Sequence, residues 1–243
     1  MKKIALLIIF ISSFAQAQFS INGTLTHSLD TDWVVLYRIE GSKQKFVQNT
    51  TMKKDTLFIE GKMQTIGTFN FELPATAKAS SYRIRYRTRG ISFVDFIFNK
   101  ENVSFTFHPD YPEQTILFSE SKENITYKNY LKDIFAQQQK LDSLQVTAIR
   151  NPKLNLKKSY KTALLKINSA QQAYLESTQQ LYIYPFVKAS FRVNPPALKT
   201  NIKEYMSAIL DTFFESIDFS NQALVNSSFL LDRVTDYIFY LNY

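Results

Sequence analysis

Between Phe19 and about Ser119, apolar residues come in short runs that favour β-branched and aromatic side chains. The runs are "FSINGTL", "WVVLYRI", "DTLFIEG", "TFNFELP", "SYRIRYRT", "SFVDFIFN", "NVSFTFHP" and "TILFS". The breaks carry Gly23, Gly41, Gly61, Gly67, Gly90, Pro74, Pro109 and Pro112, the residues that end or bend strands. In "TFNFELP", Phe69, Phe71 and Leu73 alternate with Asn70 and Glu72, which puts the apolar trio on one strand face. The spacing predicts an antiparallel β-sandwich of about 7–8 strands.

After Ser119 glycine disappears and the apolar spacing changes from two to three and four. Ser121 and Asn124 offer an N-cap region for a helix from about Asn124 to Ile149, closed by Pro152. A second helix, from about Asn155 to Tyr182, carries Tyr160, Ala163, Ile167, Ala170, Tyr174 and Leu181 as one stripe. Tyr127, Tyr130, Ile134, Leu141 and Leu144 form a comparable face on the first, so the pair reads as an antiparallel helical hairpin. Pro185 ends the second helix, and Pro195-Pro196 reset the chain. Helices near Lys199 to Ser216 and Gln222 to Asn242 complete the reading, with Ser220 as N-cap of the last. The expected fold class is α+β, with the β-rich domain over 18–119 and an all-helical domain over 120–243.

The first residues change the picture of where the chain resides. Lys2 and Lys3 precede an apolar run from Ile4 to Ile11 and the small-residue sequence "SSFAQAQ". That pattern is expected of a secretory signal peptide over 1–17, with Ala15 and Ala17 supplying the small side chains before a cut between Ala17 and Gln18. The run is shorter than the roughly 20 apolar residues that cross a bilayer, and no later stretch reaches that length. The expected location is therefore the periplasm or outer envelope of a Gram-negative-type bacterium. The formal charge of +8 becomes +6 when Lys2 and Lys3 are removed. An exported chain is not expected to meet nucleic acid, so this excess points to solubility or to an anionic envelope component such as lipid headgroups or glycans.

There is no cysteine, which excludes disulfides and thiol catalysis within this stretch. The only histidines, His27 and His108, lie far apart and read as structural loop or edge residues, so no metal site and no cofactor is expected. No phosphate-binding glycine loop or nucleophile elbow occurs. Asp30 with Asp32, and Glu120 with Glu123, read as solvated turn and helix-start acids lacking the raised pKa of a general acid. No catalytic residue is assigned. One motif stands out: "YRIRYRTRG" places Arg83, Arg85, Arg87 and Arg89 on one strand face, a positive stripe suited to carboxylates or phosphates. On the opposing reading these charges are balanced by cross-strand acids such as Glu60, Glu72 or Asp95.

"FSINGTL", "YRIRYRTRGISFVDFIFN" leading into "KENVSFTF", the junction "SESKENITYKNYL" and "FFESIDFSNQALVNSSFLLDRV" together resemble the N-terminal region of exported TlpA-like thiol-disulfide oxidoreductases. In that family a β-rich domain of unknown function and a helical segment precede a thioredoxin-fold domain with a Cys-x-x-Cys pair. The resemblance covers about Phe19 to Tyr243. It implies an accessory region, and because the cysteine-bearing domain is absent here, no catalytic residue is carried over. It also implies that the aromatic run "LDRVTDYIFYLNY" is where such proteins continue. Val234, Ile238 and Leu241 would then form a docking face for a thioredoxin-fold domain or partner, or for self-association. The expected function is a non-catalytic envelope module for binding or scaffolding. The alternatives are participation in thiol-disulfide exchange through a cysteine-bearing partner, and an enzyme acting on glycans or peptides at a cleft between the two halves, which requires a pocket with convergent acids.

Overall fold

The computed structural model describes residues 18–241 apart from Ser28, Asp30, Glu60 and Ile91. The expected signal peptide, with Ala15 and Ala17, lies outside the described residues. Among those described are nine strands and seven helices, an α+β arrangement with the strands first. Strands β1 (Gln18–Leu25), β2 (Trp33–Glu40), β3 (Lys43–Thr51), β4 (Lys53–Ile59), β5 (Lys62–Pro74), β6 (Ser80–Arg85), β7 (Phe93–Phe98), β8 (Val103–Phe107) and β9 (Leu117–Glu120) build two sheets. One has the order β4-β5-β1-β8-β9 and the other β3-β2-β6-β7.

The alternation in the sequence determines which side chains meet. Ile21 and Leu25 of β1, Phe69, Phe71 and Leu73 of β5, and Phe105 and Phe107 of β8 are buried in one cluster. The same cluster holds Val34 and Leu36 of β2, Tyr82 and Ile84 of β6, and Val94, Phe96 and Phe98 of β7. Both sheets thus feed a single core, in which Phe69 meets Phe71 and Phe105 edge-on, as aromatic quadrupoles favour.

Three strand expectations need correction. β3 was not expected: "KQKFVQNTT" is polar, its first four residues are exposed, and as an outer strand it has no apolar face to reveal itself. β1 pairs with β8 in parallel rather than antiparallel, because the chain passes through the other sheet before returning beside β1. Gly23 and Gly67 lie inside β1 and β5, not between strands. A Cβ on Gly23 would come within 1.9 Å of the Phe69 ring, and one on Gly67 within 2.3 Å of the Met52 sulfur. Glycine here makes room for a neighbour crossing the strand.

The helices are α1 (Pro112–Thr115), α2 (Lys122–Arg150), α3 (Lys157–Ser177), α4 (Tyr184–Ala189), α5 (Ile202–Leu210), α6 (Gln222–Val225) and α7 (Phe229–Leu241). Ser121 caps α2, its hydroxyl accepting from the Asn124 N–H. Leu141 of α2 is buried with Tyr160, Ala163 and Ile167 of α3, and Tyr130 of α2 meets Tyr174 of α3 edge-on. The second helix stops at Ser177, short of Tyr182, with both the N–H and the hydroxyl of Thr178 donating to the Tyr174 carbonyl, and Pro185 then sits in the first turn of α4. The last expected helix is two, broken at Asn226–Ser228, and its cap is Asn221, not Ser220, whose hydroxyl bonds Asp218 instead. The third is capped by Asn201 and is shorter than expected.

Candidate functional site

β7 is an outer strand that is apolar on both faces. Val94, Phe96 and Phe98 enter the core shared by the sheets, and Phe93, Asp95 and Ile97 form the other face. Ile97 is buried among helical residues, including Tyr130, Ile183 and Phe186. The helices are attached to this edge by hydrogen bonds. The Asn124 carboxamide accepts from the Ile97 N–H at 2.8 Å and donates to the Ile97 carbonyl at 2.6 Å, so a side chain satisfies backbone groups that a further strand would otherwise pair.

Two acids complete the joint. Glu101 accepts from the Ser121 hydroxyl and from the Lys122 and Glu123 N–H groups, satisfying orphan donors at the start of α2. Glu123, expected to be solvated, is buried. Its carboxylate accepts from the Tyr182 and Ile183 N–H groups and from the Asn99 amide, at 2.8–3.0 Å. These six contacts tie the start of α2 to the turn between β7 and β8 and to the segment that enters α4.

Beside the joint, between β7, α1, α2 and the start of α7, an open cleft of about 550 Å³ is lined by Phe93, Phe118, Tyr127, Leu131, Phe186 and Phe229. Its polar groups are Arg83, Asp95, Glu113, Lys128, Ser228 and Asp232. Arg83 stands opposite Asp95 in the β6–β7 ladder and donates from Nε and Nη2 to the two carboxylate oxygens at 2.6 Å each. Its guanidinium also lies 3.8 Å above the centre of the Phe93 ring. Burial works against the Arg83 charge, but the Asp95 contact outweighs it and the pKa is raised. Lys128 donates to the Glu113 carbonyl at 2.5 Å, and burial lowers its pKa against the opposing pull of the Glu113 charge.

Asp232 differs from these. It forms no ion pair among the described residues. Burial raises its carboxyl above the ordinary range, reinforced by Asp95 and Asp236 and opposed by Ser228 and Arg83. The cleft therefore presents two carboxyls, Asp232 and Glu113, that form no ion pair among the described residues, and Asp232 is the one beside Arg83 and Asp95.

Only part of this was visible in the motifs. Of the four arginines only Arg83 and Arg85 lie on β6, which ends at Arg85; Arg87 and Arg89 follow the strand, and Tyr86, buried in the same core as Tyr82 and Ile84, donates its hydroxyl to the Pro109 carbonyl. Arg83 faces the cleft, Arg87 pairs with Asp110 at 2.8 Å and donates to the Pro109 carbonyl, and Arg89 is exposed. Asp95, one of the proposed cross-strand acids, pairs with Arg83; Glu60 lies outside the described residues. On α7, Val234 and Ile238 are exposed beside Leu231 and Phe239, and Tyr237 on the same helix packs against Phe213 and Phe214. The Leu241 side chain lies outside the described residues.

Sequence separation also hid a histidine pair. Because β1 and β8 run parallel with Leu25 beside Phe107, the residues that follow them converge, and the His27 and His108 ring centres lie 4.4 Å apart. Gln64 approaches His27, and His108 Nδ1 accepts from the Asp110 N–H. Among the described residues, no group of three or more His, Cys, Asp or Glu side chains converges as a metal site, and no helix is long and apolar enough to cross a membrane.

No known protein family, curated protein or solved structure matches the chain.

Proposed function

We propose that the chain is a non-catalytic, exported envelope module that binds a small ligand or side chain in the cleft beside β7. The observation that carries this reading is the cleft itself: about 550 Å³, within the range of ligand pockets, with aromatic walls and few convergent polar groups. Asp95 has both oxygens engaged by Arg83, which leaves Asp232 and Glu113 as the cleft's carboxyls without an ion pair among the described residues; Asp232, beside Arg83 and Asp95, is the one assigned to select a ligand. The fitting chemistry is an apolar body with a cationic or hydrogen-bond-donating head.

The fold reading that accompanies this is a β-sandwich followed by an antiparallel hairpin of α2 and α3. The core shared by both sheets supports the first part. The pairing of early α2 with late α3 through Tyr130 and Tyr174, and of late α2 with early α3 through Leu141 and Tyr160, supports the second.

The test is calorimetric titration with two congeners, 4-phenylbutylamine and 4-phenylbutyric acid. The amine is expected to bind and the acid to bind at least about tenfold more weakly, with the preference lost in Asp232→Asn. Equal binding of both, or of neither, removes the proposal.

A second reading, an accessory region working with a cysteine-bearing partner in thiol-disulfide exchange, is favoured by the exposed apolar face of α7 at Leu231, Val234, Ile238 and Phe239. Recovery of no thioredoxin-fold protein in pull-downs from envelope extracts counts against it.

A further inference from the structure

The main chain of β7 carries the cleft reading further, to the form of the ligand. β7 is the outer strand of its sheet and pairs with β6 alone. In an antiparallel ladder the N–H and C=O of one residue point to the same side, and those of the next residue to the other. Ile97 turns both of its groups outward to the Asn124 carboxamide, so Asp95 and Phe93 turn theirs outward as well. These four groups have no hydrogen-bond partner among the described residues. The Asn124 amide thus stands where the first rung of a further strand would be, and Asp95 and Phe93 offer the next two, roughly 7 Å apart.

Phe93 and Asp95 from one face of β7 and Val94 and Phe96 from the other all line the cleft. A space that meets both faces of an outer strand lies along its edge. Residues opposite one another on paired strands share a face, which determines what each side chain of an added strand meets. The residue opposite Asp95 stands on the side of Arg83, Ser228 and Asp232. Its successor, opposite Val94, stands on the side of Ile116 and Phe118, and the third stands beside Phe93. The ionisable side chains lining the cleft are the acids Asp95, Glu113 and Asp232 and the bases Arg83 and Lys128, so a cationic residue opposite Asp95 completes the balance. α1, α2 and the start of α7 wall the cleft. A second copy, whose own β7 lies in the same recess, would have to displace them to pair edge to edge, whereas a single extended segment would not.

We propose that the cleft is a strand-addition site, in which an extended peptide segment pairs antiparallel with Phe93–Asp95 and sets a basic residue opposite Asp95, an aliphatic one opposite Val94 and an apolar one opposite Phe93. The inference rests on the ligand-binding role proposed for the cleft and specifies its occupant as a polypeptide. It is tested by calorimetric titration of the full chain with acetyl-Thr-Lys-Val-Phe-Thr-amide and with two versions methylated at one backbone nitrogen. The lysine N–H bonds the Asp95 carbonyl in this pairing, whereas the valine N–H points away from β7. The parent peptide is expected to bind, methylation at the lysine nitrogen to weaken it at least about tenfold, and methylation at the valine nitrogen to weaken it less than about threefold. If 4-phenylbutylamine binds but the parent peptide does not, or if the two methylated peptides bind alike, strand addition is overturned and the cleft reading stands. If neither the amine nor the peptide binds, both fall. A wild-type dimer in light scattering that the parent peptide dissociates would also overturn the proposal, by making a second copy the occupant.

Discussion

Asn124→Ala tests whether one side chain holds the helices to the sheet. The substitution removes the acceptor of the Ile97 N–H and the donor to the Ile97 carbonyl, both at a site where Asn124 and Ile97 are buried. A buried backbone group left without a partner costs about 1–3 kcal/mol, so the pair is expected to cost about 2–6 kcal/mol. For a chain of this length each kcal/mol lowers the midpoint by about 2–4 °C, giving an expected fall of roughly 4–24 °C. The assay is thermal unfolding followed by circular dichroism. Asn124→Asp adds a directional check. It keeps an acceptor for the Ile97 N–H but sets a carboxylate oxygen against the Ile97 carbonyl, a placement that favours the protonated acid. Such a group, with its folded pKa raised, adds stability at low pH that is lost as pH rises through the folded value. Asn124→Asp should therefore be closer to wild type in acid than at neutral pH. A midpoint for Asn124→Ala within about 1 °C of wild type would refute the reasoning.

Other positions give equally direct expectations. Gly23→Ala should cost at least about 1–3 kcal/mol in urea unfolding, since its Cβ would overlap the Phe69 ring; an unchanged midpoint would show that Phe69 moves aside freely. Tyr205→Phe removes a hydroxyl that donates to Asp142 at 2.8 Å and accepts from Arg192, and should lower stability by about 1 kcal/mol, against no change if that network is idle. Asp232→Asn bears on the cleft. The folded pKa of Asp232 is raised above its ordinary 3.8, so its favourable contribution is complete below that value and is lost as pH rises through the folded pKa. The stability of Asp232→Asn relative to wild type should accordingly be greatest at neutral pH and should decline in acid; a pH-independent difference would contradict the assignment.

The change of period near Ser119 was legible because burial on one face leaves its trace in spacing, and the Phe69, Phe71 and Leu73 alternation is the plainest case. β3 left no such trace because an outer strand with exposed Lys43, Gln44, Lys45 and Phe46 has no face that must be apolar. Helix starts shifted where another side chain takes the cap, as Asn221 does in place of Ser220. The cleft was illegible for a different reason. Arg83, Asp95, Lys128, Phe186 and Asp232 belong to five separate elements, and only the apolar character of both faces of "FVDFIF" hinted that β7 meets a second layer. The histidine pair was hidden in the same way, since it depends on β1 and β8 being parallel neighbours.

The central claim is that the cleft beside β7 holds a ligand, and chemical-shift mapping of a 4-phenylbutylamine titration tests it most directly. Ligand entry there should move the backbone amides of Phe93, Asp95 and Ile97 together with those of Phe229 and Asp232, because β7 and the start of α7 both line the cleft. Shifts confined to other surfaces, or absent at saturating amine, would contradict the account.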